Sequence, residues 1–277
     1  AKAIKASRIV RYAGAANQGK SSKLTAQSIT PAVLYGAAVS GLCGRDLQRV
    51  RSTKLLALGC STSQQCVTTS LGLLGKPFRD SGIVHRIDII FQWMELVFSE
   101  DYMVKAVDTA WESAYCTLRS HSSPWSVVTG PMHACVQTLF ELSWDPISPL
   151  EWVDSTGSTW ILHDLEGSPS RANCGRLLTA IGLSAQQLLW RQASSHRHGH
   201  DLSGVPDLEI GRQLHSHYLQ EERPDSAGML LKVMAGGLWP PSRWHEEFTK
   251  AVQRFPDPAD IPDIDDLTEL FNGSCPL

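Results

Sequence analysis

The sequence predicts a mainly α, multi-helical fold with one small β-hairpin near residues 150–162. Three observations carry that prediction. Apolar residues recur three and four apart through most of the chain, the period of a helix with one inward face. The alternation of apolar strands with helices that builds a parallel sheet is absent. Only around Asp154-Ser155-Thr156-Gly157-Ser158 do two short runs of β-branched and aromatic residues flank a turn-forming cluster, which is hairpin chemistry.

Taken in order, Lys2 to Arg11 reads as a basic helix with charges at 2, 5, 8 and 11, one per turn. Gly14 to Lys23 is a Gly/Ser/Asn loop. After Pro31, "AVLYGAAVSGL" is an apolar helix or strand, a choice that periodicity alone leaves open. Arg45 to Leu58 is expected to be helical, with Leu47, Val50 and Leu58 inward and Arg45, Arg49 and Arg51 pointing largely elsewhere. Residues 83–98 are apolar on most sides and predict a central, well-covered helix. Asp101 is placed to cap a second long helix, in which Val104, Val107, Trp111, Tyr115 and Leu118 fall at helical spacing. Pro131 suits the first turn of another. Beyond the hairpin, helical spacing returns at roughly 170–195, 206–221, 226–236 and 242–253. Pro256, Pro258 and Pro262 then break up an acidic tail.

Hydrophobic residues at 42% and charged residues at 19% fit a soluble globular chain rather than a disordered one. No apolar run reaches the ~18 residues of a membrane helix, and "AKAIKASRIVRYAG" lacks the features of a signal peptide. An intracellular location, nuclear or cytoplasmic, with no membrane partner, is the expectation. The seven cysteines are widely spread with no C-x-x-C pair, which points to reduced, mostly buried thiols rather than a disulfide framework or zinc ribbon.

The net charge of −3 conceals an asymmetry. Residues 1–54 hold ten Lys or Arg and a single acid, Asp46, for a net +9, so the remainder carries −12. Such a basic end suits a polyanionic partner. The alternative is a solvated helical face.

Gly14 to Ser21, "GAANQGKS", fits the phosphate-loop pattern G-x-x-x-x-G-K-[ST]. Its surroundings do not support it. "SRIVRYA" makes a poor central strand, and Pro31 cuts the following helix short. The nearest magnesium carboxylates, Asp88 and Asp145, fall in segments that read as helices. An exposed basic turn is the preferred reading of the stretch.

"ITPAVLYGAAVSGL", followed by Arg45 to Leu58, resembles the segment that opens the thumb in non-LTR (LINE-type) retrotransposon reverse transcriptases. Further along, "SPWSVVTGPMHACVQTLFELSWDP", "EWVDSTGSTWIL", "LLWRQASSHRHGHDL" and "AGMLLKVMAGGLWPPSRWH" resemble post-polymerase segments of such elements. The resemblance covers roughly residues 5–277. It implies partners: a template–primer duplex of RNA or DNA, the palm of a parent polyprotein, and the Cys-rich knuckle that begins C-P-x-C in the family. Here Cys275-Pro276-Leu277 stands where that knuckle starts. The family's paired catalytic aspartates lie upstream of the thumb signature, and nothing before Pro31 contains an acid; Asp265-Asp266 sits in the wrong context. The parent family would be an RNA-directed DNA polymerase, but no catalytic centre is expected in this chain.

Other constellations are weaker. His196, His198 and His200, with His215 and His217 nearby, lack the convergent spacing of a structural metal site, and surface or packing roles explain them. No metal or cofactor is expected. Trp93, Trp111, Trp152, Trp160 and Trp190 fall at inward positions that suit a core. The expected organisation is a basic thumb-like subdomain over 1–60, a helical post-palm region with the hairpin over 61–254, and an acidic Pro-rich tail over 255–277. Lys5, Arg8, Arg11, Lys20, Lys23, Arg45, Arg49 and Arg51 are the candidate phosphate contacts. The rival readings are a helical protein-interaction scaffold and a nucleotide hydrolase using Gly14 to Ser21.

Overall fold

The structure, a computed structural model, describes residues 31, 34–58, 60, 65–74, 80–99, 104–164, 170–195 and 204–236. The helices in chain order are α1 (Ala37–Ser40), α2 (Gly44–Ala57), α3 (Val67–Leu74), α4 (Ser81–Val97), α5 (Val104–Ser120), α6 (Pro131–Glu141), α7 (Cys174–Ser194), α8 (Glu209–Gln220) and α9 (Pro224–Met234). Between α6 and α7 lie β1 (Asp145–Ser148), β2 (Glu151–Val153) and β3 (Thr159–Ile161). The mainly α reading therefore holds. The helices expected at 2–11 and 242–253, and the Asp101 cap, lie outside the described residues.

Helix α4 is the hub, packing against α1, α2, α6 and α7. Its start is set by Asp80, whose carboxylate accepts the Gly82 N–H at 2.8 Å and caps the first turn. Apolar residues on most of its sides then require cover, and Ile83, Ile89, Ile90, Trp93, Met94 and Val97 are all buried. Around them gather Trp111 and Leu118 of α5, Leu139 of α6, Trp152 of β2, and Leu177 and Ile181 of α7 in one core. A second, smaller core joins Cys66, Leu73 of α3, Trp190 and Ala193 at the end of α7, Leu208, and Leu231 of α9.

The hairpin at 150–162 is present, but β1 extends it to a three-stranded antiparallel sheet in the order β1-β2-β3. This corrects the reading of Asp145 as helical. Helix α6 stops at Leu142 because Ser143 turns left-handed at φ 63, letting the Trp144 N–H reach back to the Leu139 carbonyl at 2.9 Å. The chain leaves that cap extended into β1. In the hairpin turn Asp154 accepts the N–H groups of Thr156 and Ser158, at 2.8 and 3.0 Å. Buried indoles also find partners. Trp93, Trp111 and Trp152 donate to the carbonyls of Pro149, Pro146 and Ser148, which ties α4 and α5 to the sheet.

Helix α3 arises in a stretch for which no element was expected. Helix α2 lies against α3 and α4, and Leu47, Leu55 and Ala57 are among its buried residues. Among the described residues no helix is long and apolar enough to cross a membrane.

Candidate nucleic-acid interface

Helix α2 carries the described part of the basic stretch. It follows Cys43 in extended conformation, with no side-chain cap on its first turn. One face, Leu47, Arg51 and Leu55, repeats every four residues and is buried. Arg45 and Arg49 repeat at the same spacing on the exposed side, because Arg45 lies about 200° round the helix from Leu47 at 100° per residue. The Arg49 side chain is 72% exposed and meets Asp46 at 3.0 Å, a surface pair of small energetic weight.

Arg51 is the correction. Its side chain is only 4% exposed, so it is no phosphate contact. Nε and Nη2 form a two-pronged pair with Asp80 at 2.9 and 2.8 Å, Nη2 also donates to Thr68 Oγ1 at 2.9 Å, and Nη1 donates to Gln48 Oε1 at 2.9 Å. One guanidinium thus ties α2 to α3 and to the start of α4. Gly82 leaves it room, because a Cβ there would stand 3.2 Å from Arg51 Cδ. The cost of burying both charges is met by good geometry and by bonds to the remaining donors and acceptors.

A second buried arginine braces α4 against α6. Arg86 donates to Glu141 at 2.7 Å and to the Gly82 carbonyl at 2.8 Å, and Glu141 also accepts from Trp125 Nε1 at 2.6 Å. The Trp125 indole covers Gly41, which follows α1 at φ 69; a Cβ at 41 would stand 1.8 Å from Trp125 Cζ3. Next to Arg86, burial first and the guanidinium second pull His85 down to about 4, so this imidazole is neutral.

Lys5, Arg8, Arg11, Lys20 and Lys23 lie outside the described residues, as do Gly14 to Ser21, the His196 to His200 cluster and Asp265-Asp266. His215 on α8 is partly buried, and that burial lowers its pKa. His217 meets Glu221 at 3.2 Å. Among the described residues no group of three His, Cys, Asp or Glu is placed to hold a metal ion. Asp88 sits on the exposed side of α4 and Asp145 opens β1, an antiparallel strand, so neither stands at the end of a parallel-sheet strand.

A cavity of about 120 Å³ lies beside the Arg51–Asp80 pair, lined in part by Thr68, Gln186, Trp190, Asp207 and Arg212. Its charged groups already have partners. Asp80 is held by Arg51 and Gly82, Asp207 accepts the Glu209 N–H at 2.8 Å, and Arg212 donates to Glu209 at 2.7 Å. Burial pushes the Cys60 thiol up to about 11 and Cys135 well above its ordinary value, leaving both protonated and poor nucleophiles.

Sequence reasoning missed Asp80, Thr68 and Gln48 as partners of Arg51. One signal was present: an aspartate before Ser-Gly and a long apolar run marks a helix cap near the core. No family profile, curated protein or solved structure matches the chain.

Proposed function

We propose that the chain is a non-catalytic nucleic-acid-binding segment that grips the phosphates of a template–primer duplex, in the manner of the thumb and post-palm region of a LINE-type reverse transcriptase. One observation carries the reading: ten of the 25 Lys and Arg fall in residues 1–54 against a single acid. Helix α2 adds a physical basis for it. Its inner face is anchored by Arg51, so Arg45 and Arg49 project from a fixed support rather than from a loose arm. Lys5, Arg8, Arg11, Lys20 and Lys23 complete the basic set. Each cation that reaches a phosphate displaces a condensed counterion without reading a base, so binding is indifferent to sequence and sensitive to salt. The palm and the Cys-rich knuckle of a parent polyprotein are the proposed neighbours.

The test is the salt dependence of duplex binding. With about five phosphates neutralised, log K falls against log salt with a slope of about −4.5 on B-form DNA. Replacing Arg8, Arg11, Lys20 and Lys23 together by Ala lowers that slope by about three to four. No binding at low salt, or an unchanged slope, replaces this reading by the scaffold. The scaffold has its own observation in Ile210 on α8 and Met229 and Val233 on α9, all exposed apolar side chains.

A further inference from the structure

Tyr35 is 90% exposed, the most exposed of the large hydrophobic residues described. Aromatic side chains usually bury one face, so a ring presented this fully has an unmet apolar surface. Its backbone is not loosely held. Gly36, at φ 75, turns the chain into α1, and its carbonyl accepts the N–H groups of Val39 and Ser40 at 3.1 and 3.3 Å. Ala37 is buried and α1 packs on α4 and α6. At the other end Gly41 is clamped beneath Trp125, whose indole is bonded to Glu141 and through it to Arg86. The fold therefore fixes the root of a side chain that it then leaves in solvent.

Charge indicates the occupant. From Tyr35 to Arg45 the chain spans at most about 25 Å, taking ~1.5 Å for each helical and ~3.4 Å for each extended residue. That is about seven base pairs at 3.4 Å each. One short nucleic acid therefore reaches the ring and both exposed arginines of α2. An open aromatic face with exposed cations within reach is the combination that stacks bases of single strands without selecting among them.

Resting on the phosphate-gripping reading, we infer that Tyr35 is a stacking platform for an unpaired base at a single-strand/duplex junction, while Arg45 and Arg49 hold the adjoining phosphates. The ring gives affinity and the arginines give salt dependence. The two contributions separate by measurement.

The experiment compares a blunt DNA duplex with the same duplex carrying a four-nucleotide overhang whose first unpaired base is 2-aminopurine. The unsubstituted protein binds the overhang duplex about five- to hundredfold more tightly, the worth of one stacked base, and quenches the 2-aminopurine emission. Tyr35→Ala and Tyr35→Leu lose the preference and the quenching, Tyr35→Phe keeps both, and the salt slope is the same in all. Circular dichroism and Tm stay unchanged, because the side chain is exposed. The inference is overturned if Tyr35→Ala keeps the overhang preference, which would mark the ring as a surface for protein. Loss in Tyr35→Phe as severe as in Tyr35→Ala also overturns it, by placing the effect in the hydroxyl. If neither duplex binds the unsubstituted protein at low salt, the phosphate-gripping reading fails and takes this inference with it; if both bind equally, only the inference fails.

Discussion

Arg49 and Arg51 stand two residues apart on α2, and the helix carries them to opposite environments. The outer arginine has 72% of its side chain in water and a surface aspartate for company. The inner one is almost wholly buried and joins three helices through Asp80, Thr68 and Gln48. What separates them is phase: Arg51 shares the four-residue repeat of Leu47 and Leu55, and Arg49 does not. A count of positive charges treats the two alike. Physically one holds the fold together, and the other is proposed to act on something outside it.

The comparison breaks most visibly at the inner face. Arg51→Ala strands the Asp80 carboxylate in the core and is expected to cost about 3–5 kcal/mol, read as a large fall in Tm. Replacing the pair together, Arg51→Met with Asp80→Leu, should recover most of that loss, since a buried pair and a well-packed apolar one differ little. A double mutant as unstable as Arg51→Ala would mean that the hydrogen bonds lost with the pair, to Thr68 and Gln48 and from Gly82 N–H to the Asp80 cap, matter more than charge balance.

Acid tests the inner region in a second way. Neutral His85 has a folded pKa of about 4 against an ordinary 6.5, so between those values the unfolded chain binds more protons. Stability therefore falls as pH drops from 6.5 to 4, at up to ~1.4 kcal/mol per pH unit, and levels off below. His85→Leu should flatten that part of the curve in denaturant titrations.

At the outer face the stability effects shrink. Arg45→Ala with Arg49→Ala should leave the unfolding free energy within about 0.5 kcal/mol of the parent, as surface changes usually do. The same double substitution should lower the salt slope of duplex binding by about one to two units. The smallest expected change comes from Asp46→Asn. Freeing Arg49 from its 3.0 Å partner should tighten duplex binding by a few tenths of a kcal/mol, measured by anisotropy at low salt.

The same contrast explains what the sequence makes readable. Helices α4, α6 and α7 lie close to where they were expected because long apolar stripes at helical spacing mark all three, and Pro131 marks the start of α6. Helix α3 escaped notice because its eight residues bury Thr68, Thr69 and Ser70 along with leucines, so it shows no polar face to set a period. Strand β1 escaped because Pro146 lies within it and four residues cannot establish alternation. The inward turn of Arg51 was in principle available from the repeat Leu47, Arg51, Leu55. Charge alone argued the other way. Its partner Asp80 comes 29 residues later, a separation that no local pattern spans.

Gly41 has a consequence for how the chain tolerates change. Any side chain there meets the Trp125 ring, and its φ of 69 already strains residues with a Cβ, so alanine, the least of substitutions, levers α1 from its seat. Tyr35, six positions earlier, faces open solvent and accepts most residues as far as the fold is concerned. A saturation scan scored by abundance should therefore mark 41 as closed and 35 as open, and one scored by binding should close both. A seven-residue stretch would then hold one position answerable to the protein's own interior and another answerable only to what it touches.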